Sequence, residues 1–341
     1  MSRRWRNIFF VFGLAAIVLM LLTFDSTWED IRGVIGRAGL WLPVVILLWV
    51  PIYLMNALAW HLIIRDGTSA QVPFLQVLKM SVTGFALNYT TPFGLMGGEP
   101  YRIMELSNYV GTEKASSSVV LYVMMHICSH FCFWLSAIAL YVVLHFCGVQ
   151  RYGLDGWMIL LLSVLTLVFL FVCYLFSRGF RYGFVVQVFG LLRRMPLAGR
   201  WSDRFMQAHS EQLELIDSQI CRLHSERRRP FYASLLLEYA ARVVGCIEYW
   251  LLIGILIPDV TFCDSIIIMA FSSFFSNLMF FLPMQLGSRE GGLAIATAGI
   301  AIPGAAGLST ALMTRIRELF WIVVGIGIMK IGNRDDKRSA A

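Results

Sequence analysis

Charge is what this chain has least of. Only 14% of its 341 residues are Asp, Glu, Lys or Arg, against 58% hydrophobic, and the mean hydropathy is +0.71. Soluble domains carry about a quarter charged residues, so a water-soluble globule is excluded. A disordered chain, which needs low hydrophobicity and high net charge, is excluded as well. Catalytic signatures are equally scarce. The sequence contains no HExxH for a zinc peptidase, no GxxxxGK[ST] phosphate loop and no GxSxG nucleophile elbow. The seven cysteines (128, 132, 147, 173, 221, 246 and 263) are odd in number, follow no framework spacing and mostly sit in apolar stretches. They read as small hydrophobes and not as a disulfide scaffold.

Long apolar runs and aromatic residues are abundant. Aromatics reach 14%, with 10 Trp and 25 Phe, a composition suited to lipid-facing surfaces and membrane interfaces. The net charge of +7 could suggest nucleic-acid binding, but the basic residues are grouped at Arg3 to Arg6, from Arg178 to Arg229, and from Lys330 to Arg338. Nearly charge-free stretches separate these groups. That is the positive-inside pattern of cytoplasmic segments in a polytopic membrane protein, and no nucleic-acid partner is expected.

A crossing helix needs about 20 apolar residues. Segments 8–24, 39–64, 119–147, 157–177, 231–257 and 308–330 qualify, while 80–98 and 265–305 are apolar but broken by Gly and Pro. The 8–24 run is too long for a signal-peptide core and is followed by Asp25-Ser26-Thr27-Trp28, so it reads as a retained helix. Both the N-terminus and the 178–229 segment should face the cytoplasm, and four crossings already separate them. The 80–98 stretch must therefore enter and leave on one side, as a re-entrant hairpin. Parity leaves 265–305 open between a re-entrant segment and two crossings. The expected fold is an all-α polytopic membrane protein of about six to eight transmembrane helices plus re-entrant hairpins. It should sit in the plasma membrane with both termini cytoplasmic.

The two halves also repeat. Pro92-Phe-Gly-Leu95-Met-Gly-Gly-Glu99 and Pro283-Met-Gln-Leu286-Gly-Ser-Arg-Glu290 share Pro, Leu and Glu at equal offsets. The first unit starts outside and the second inside, which gives an inverted-topology repeat of the kind found in secondary transporters. The expected organisation is an N-terminal helix and external linker (1–38), a first unit with an extra helix (39–177), a basic cytoplasmic linker (178–230), a second unit (231–331) and a cytoplasmic tail (332–341). The linker holds ten Arg and five acidic residues. From Trp201 to Leu223 its apolar residues fall at mostly helical spacing, fitting an amphipathic helix on the inner leaflet or a solvated connector.

An ionisable residue inside a bilayer is a functional-site candidate by default. The first cluster is Gly97-Gly98-Glu99-Pro100-Tyr101-Arg102-Ile103-Met104-Glu105. Its glycines permit close backbone approach, Pro100 suits a helix start, Glu99 and Arg102 lie one turn apart, and the free N–H groups there favour an anion. The second is Gly287-Ser288-Arg289-Glu290, where the guanidinium fork suits phosphate oxygens and the neighbouring Glu can balance it or exchange a proton. Arg315 joins the candidates. Arg317, Glu318, Glu238, Arg242 and Glu248 read as ion pairs that fix helix packing. His126 and His130 share a helix face but have no evident third ligand, so neither a metal nor a cofactor is expected. Asn88-Tyr-Thr90 matches a glycosylation sequon in a hairpin expected to be buried.

At these motifs the chain resembles the flippase-like transmembrane region of the lysylphosphatidylglycerol synthases, over most of its length. The marks are Gly97-Gly98-Glu99 with Arg102, and Pro283 with Leu286-Gly287, Arg289, Glu290 and Gly291. The resemblance implies two re-entrant segments, movement of lipids between leaflets, and Glu99, Arg102, Arg289 and Glu290 as the central polar residues. Met284 and Gln285 stand where relatives often have glycines. Only Asn333 to Ala341 follows the last helix, so a stand-alone member without synthase activity is expected. The expected partner is a membrane lipid with a phosphate-bearing head group. The alternative is a non-transporting protein that holds a lipid intermediate for a glycosyl- or acyltransferase docked on the 178–230 loop. An intramembrane enzyme is a third reading that no motif supports.

Overall fold

The computed structural model describes residues 38–65, 72–90, 97–183, 199–279 and 287–329, with residues 33 and 36. Among these are ten α-helices and no strand: α1 (Trp41–Ile64), α2 (Phe74–Thr90), α3 (Gly98–Val110), α4 (Thr112–Phe146), α5 (Gly156–Tyr182), α6 (Gly199–Glu226), α7 (Arg228–Gly254), α8 (Phe262–Leu278), α9 (Ser288–Ala298) and α10 (Gly304–Ile328). The expected first span at 8–24, the residues from Pro92 to Met96, those from Pro283 to Leu286 and the 332–341 tail lie outside the described residues.

Helices α1, α4 and α5 are long and apolar enough to cross a membrane. Helix α5 buries only Phe169, Phe176, Gly179 and Phe180, and leaves a run of Leu, Val and Phe side chains exposed, as a lipid-facing helix does. Helices α7 and α10 have comparable length, 27 and 25 residues, but they carry the charged residues that lower their hydropathy. Glu238, Arg242, Glu248, Arg315, Arg317 and Glu318 are all buried within the protein, so none faces outward.

Each irregular stretch contributes two helices, α2 and α3 in the first and α8 and α9 in the second. The first hairpin is wider than the expected 80–98, with limbs reaching from Phe74 to Val110. Polar residues such as Gln76, Lys79, Ser81 and Thr83 lower the apolarity of its first limb, yet Ser81 and Thr83 are buried against protein. The limbs run antiparallel: the Gly98 N–H donates to Asn88 Oδ1 at 2.6 Å, and Arg102 donates to the Ser81 carbonyl at 3.4 Å. A Cβ on Gly98 would overlap the Gly84 carbonyl, so this crossing requires glycine. The glycine expected to admit a ligand instead admits the neighbouring helix.

In the second stretch, α8 and α9 pack together. The 11 residues of α9 span about 17 Å at 1.5 Å per residue, roughly half the hydrocarbon core. A capping box of Thr261 and Asp264 starts α8, and Asp264 also binds Arg151 (3.1 Å) and Tyr152 from the α4–α5 turn. Burial and that carboxylate raise the Tyr152 phenol well above its usual pKa. The turn is thereby tied to the start of the second hairpin.

The most extensive helix contact is α1 on α7. Around it, α1–α2, α2–α3 and α3–α4 pack in succession, as do α7–α8, α8–α9 and α9–α10. Each hairpin also reaches the other half: Thr83 of α2 donates to the Gly325 carbonyl of α10 at 3.0 Å, and Trp134 of α4 donates to Ser273 of α8 at 3.0 Å. Helix α6 forms where an amphipathic helix was expected, but it buries Leu213 and Ile220 against protein, packing on α4, α5 and α7. Ser117–Gln219 and Arg227–Arg65 carbonyl hydrogen bonds hold it there.

Replacing Gly98 by Val should lower stability by about 2 kcal/mol, since overpacking a tight contact costs about 1–3 kcal/mol. Gly291→Ala, where an added Cβ meets nothing within 4 Å, should change it by less than about 1 kcal/mol. Thermal unfolding of the two purified variants beside wild type checks this contrast.

Candidate functional site

Two polar clusters form, one at each broken helix. In the first, Asn88 at the end of α2 organises the start of α3. Its Oδ1 takes the Gly98 N–H and its Nδ2 donates to Glu99 Oε1 at 3.2 Å. Part of the helix start expected to hold an anion is therefore occupied by a side chain of the protein itself. Glu99 Oε1 also accepts from Arg102 at 3.1 Å, while Glu99 Oε2 is buried with no partner among the described residues. The Arg102 guanidinium lies 5.3 Å from the Tyr122 ring and 5.8 Å from the Trp60 ring, in the space left by the absent side chain of Gly84. Gly97 precedes this turn as the N-cap of α3.

The second cluster is larger. The chain reaches α9 through Gly287 at φ 77°, left-handed backbone that favours glycine, and its N–H donates to Glu290 Oε2 at 2.9 Å. From α9, Arg289 pairs with Glu318 and Glu290 pairs with Arg315 at 3.0 Å. Arg315 reaches Glu318 at 3.4 Å, and Arg317 reaches it at 3.6 Å. Arg317 also grips Glu248 of α7 through two hydrogen bonds of 2.9 and 3.1 Å. Trp49 of α1 completes the inner end: its Nε1 donates to Glu248 at 2.9 Å, and the Arg317 guanidinium lies 3.8 Å from its ring centre. The result is an unbroken chain of ion pairs across α9, α10 and α7.

The network is graded. Glu290 and Arg289 keep 21% and 11% of their side chains exposed, whereas Arg315, Arg317, Glu318 and Glu248 keep at most 1%. It has a partly open rim and a sealed interior. It is also neutral, with Arg289, Arg315 and Arg317 matched by Glu248, Glu290 and Glu318. Fully buried charges persist only when paired in this way.

The sequence reading placed Glu99 with Arg102, and Arg289 beside Glu290, and named Arg315 as a separate candidate; the structure joins Glu99 to Arg102 and brings Arg315 to Glu290. It differs in the pairing: adjacent Arg289 and Glu290 do not balance each other, because consecutive helical residues face different directions and each finds a partner on α10. The triplet Arg315, Arg317 and Glu318 lies in the middle of α10. Glu318, Arg317 and Glu248, read from sequence as packing pairs, form the inner part of the same network. The Arg315–Glu318 spacing of three residues was the available signal for including Glu318. Asn88, seen in sequence as part of a sequon, is the organiser of the first cluster, and nothing in its neighbours signals that role.

A third pairing lies apart from these. His126 meets Glu238 at 2.7 Å, and Arg242 donates to Ser129 Oγ and the His126 carbonyl, each at 2.8 Å. These contacts tie α4 to α7. His130 stands 5.3 Å from the His126 ring and 5.4 Å from Trp134.

The two main clusters approach each other through α2. Asn88 belongs to the first, and the next residue, Tyr89, packs with Leu319 onto the Ala86, Ile322 and Ile326 cluster. Leu319 directly follows Glu318 of the second.

Comparison with protein families matches residues 8–327 to the lysylphosphatidylglycerol synthase TM region. The chain belongs to that family and is an integral membrane protein of a type associated with lipid handling. No curated protein and no solved structure matches it.

Arg317→Met should destabilise the protein by about 3–5 kcal/mol, because it leaves buried Glu248 without its arginine. Arg317→Met with Glu248→Met should recover a large part of that loss. Thermal unfolding of the single and double variants measures the recovery, and equal losses in both would contradict a charge-pairing role.

Proposed function

We propose that this member of the family is a lipid translocator. The head group of a phospholipid or lipid-linked intermediate passes through a polar path between the two hairpins, while its tails stay in the bilayer. The observation that supports this most directly is the graded, neutral ion network at a helix break. A purely structural ion pair needs no exposed rim, whereas a head-group site needs one.

The helix order supports an inverted repeat. A long helix, a 17-residue helix, a break, a short helix and a long helix occur in α1–α4 and again in α7–α10. The packing pairs within and between these units have counterparts under exchange of the two. With the basic linker in the cytoplasm, the units run in opposite senses, and alternating access arises from one unit rocking against the other. In this reading the protein sits in the plasma membrane with cytoplasmic termini and makes or breaks no covalent bond.

Charge balance sets how an anion binds. A phosphate that draws Arg315 away from Glu290 leaves a carboxylate without its partner in a low-dielectric site, at a cost of several kcal/mol. A proton on that carboxylate restores neutrality. Glu290 is the most exposed acid of the network, so it is the group that takes the proton while Arg289 and Arg315 hold the phosphate. Arg102 and Glu99 provide the matching pair at the other hairpin. A negative head group and a proton then bind together, each strengthening the other.

Translocation of labelled lipids in proteoliposomes tests the reading. Wild type should move at least one phosphate-bearing lipid, and Arg289→Ala and Glu99→Gln should each reduce the rate about tenfold or more while remaining folded. Normal rates in Arg289→Ala would falsify the assignment. Movement of an anionic lipid should quicken as pH falls, by up to about tenfold per unit for one coupled proton, and Glu290→Gln should flatten that profile. An unchanged profile in Glu290→Gln argues against proton coupling at this residue. If folded protein moves no lipid, the reading shifts to a partner that holds a lipid for a transferase. The exposed Arg222, Arg228 and Arg229 at the α6–α7 junction favour that alternative.

A further inference from the structure

Buried polar atoms without partners are rare in folded proteins, and here they gather on two sides of one tyrosine. Among the described residues, Trp60 Nε1, Ser81 Oγ, Glu99 Oε2, Arg102 Nε, Ser234 Oγ and Glu238 Oε1 are buried with no hydrogen-bond partner. The first four surround the Arg102 guanidinium. It holds Glu99 at 3.1 Å, donates to the Ser81 carbonyl at 3.4 Å and lies 5.8 Å from the Trp60 ring. The other two sit one turn apart on a single face of α7. Tyr122 of α4 stands between the groups. Its ring is 5.3 Å from the Arg102 guanidinium and 5.7 Å from Trp60, and its hydroxyl approaches the Glu238 carboxylate.

The second Glu238 oxygen leads outward. Oε2 lies 2.7 Å from His126 Nδ1, and the His126 side chain is 40% exposed while that of Glu238 is 1% exposed. Glu238 and Arg242 of α7 face this imidazole, with Tyr122 and His130 one turn away on α4. Arg242 is fixed on the Ser129 hydroxyl and the His126 carbonyl, so the Glu238 charge is balanced and the site is neutral around a neutral imidazole. A histidine joined to a carboxylate at such a rim can take a proton from outside and pass it inward. Arg102 and Arg242 keep their charge and cannot relay it.

We infer that buried water joins these atoms and, with His126, Glu238 and Tyr122, forms a proton path from the protein surface to Glu99. Buried water persists where several polar groups can bind it, and the unpartnered donors and acceptors provide such positions. His126 Nε2 takes a proton from outside, and Nδ1 releases one to Glu238. Glu238 Oε1 hands it to the first water. Each water gives up one proton as it accepts another, ordered by the Tyr122 hydroxyl, and the last protonates Glu99 Oε2. Every N–H or O–H bond broken is matched by one formed, and no co-reactant is needed. The inference rests on the translocator reading, in which Glu99 loses its arginine when Arg102 holds a phosphate. It supplies the source of the proton that restores neutrality there.

The first test uses the full chain in nanodiscs exposed to a short X-ray pulse, which makes hydroxyl radicals from water, including water held inside a protein. Trp60 and Trp134 are 0% and 6% exposed, and the Trp134 indole already donates to Ser273. Mass spectrometry should find Trp60 oxidised several times faster than Trp134. Equal rates, or a slower rate at Trp60, overturn the water path.

The second test follows movement of labelled phosphatidylglycerol in proteoliposomes. His126→Ala keeps the backbone carbonyl that holds Arg242, and it should slow movement about tenfold or more, as loss of a proton-transfer group does. Added imidazole should restore much of the rate. Glu238→Gln should be equally slow and indifferent to imidazole, with Trp60 oxidised as fast as in wild type. A slow His126→Ala that imidazole does not recover overturns the relay. Lipid movement unaffected by either variant overturns this inference alone. Fast oxidation of Trp60 in a protein that moves no lipid supports the water chain and overturns the translocator.

Discussion

Six charged side chains placed inside a membrane protein constrain almost everything around them. A single charge at the bilayer centre costs about 2.5–3.5 kcal/mol on insertion scales, and more if it is left isolated. The chain meets that cost by matching three arginines to three glutamates across α7, α9 and α10. The match requires α9 to end its break at one height beside α10, and α7 to present Glu248 to Arg317. It also requires α1 to bring Trp49 over the inner pair. Helices α7 and α10 can hold so many charges because neither turns them toward lipid.

The helix breaks and the network depend on each other. Broken backbone at membrane depth exposes N–H groups that must find acceptors within the protein. Asn88 meets this need at the first hairpin, and the Glu290 carboxylate meets it at the second. Glu290 thus joins two tasks: it closes the start of α9 and it neutralises Arg315. Changing its protonation alters a helix cap and an ion pair together, which couples local backbone structure to the charge state of the site. The glycines serve these tight geometries. Gly98 lets α3 touch α2, and Gly287 takes a backbone angle that side chains disfavour.

The aromatic residues have a complementary part. Trp49, Tyr53, Phe85 and Trp321 form a continuous layer between an apolar surface and the ionic interior, with ring centres 4.8 to 5.6 Å apart. Aromatic rings suit that boundary because one face can pack on aliphatic chains while another holds a cation. The boundary is built from α1 and α2 of one half of the molecule and α10 of the other. Any rocking of one half against the other must therefore disturb it.

Composition alone determined that this is a membrane protein, since so few charges and such long apolar runs leave no soluble alternative. The helices α1, α4, α5 and α7 followed from hydropathy to within a few residues of their ends, apart from the start of α4. The polar residues gathered near the breaks, from Gly97 to Arg102 and from Gly287 to Glu290, stood out because charge is rare in such stretches. Hydropathy could not show that α2 begins at Phe74, because Gln76, Lys79, Ser81 and Thr83 look solvent-facing until α10 and α3 are in place. Nor could it pair Arg289 with Glu318, Glu290 with Arg315, or Arg317 with Glu248. Those partners are 25 to 69 residues apart, and which carboxylate meets which guanidinium depends on how three helices cross. The kind of chemistry present was written in residue types; its connections were decided by packing, because a buried charge accepts whichever partner the fold brings within reach.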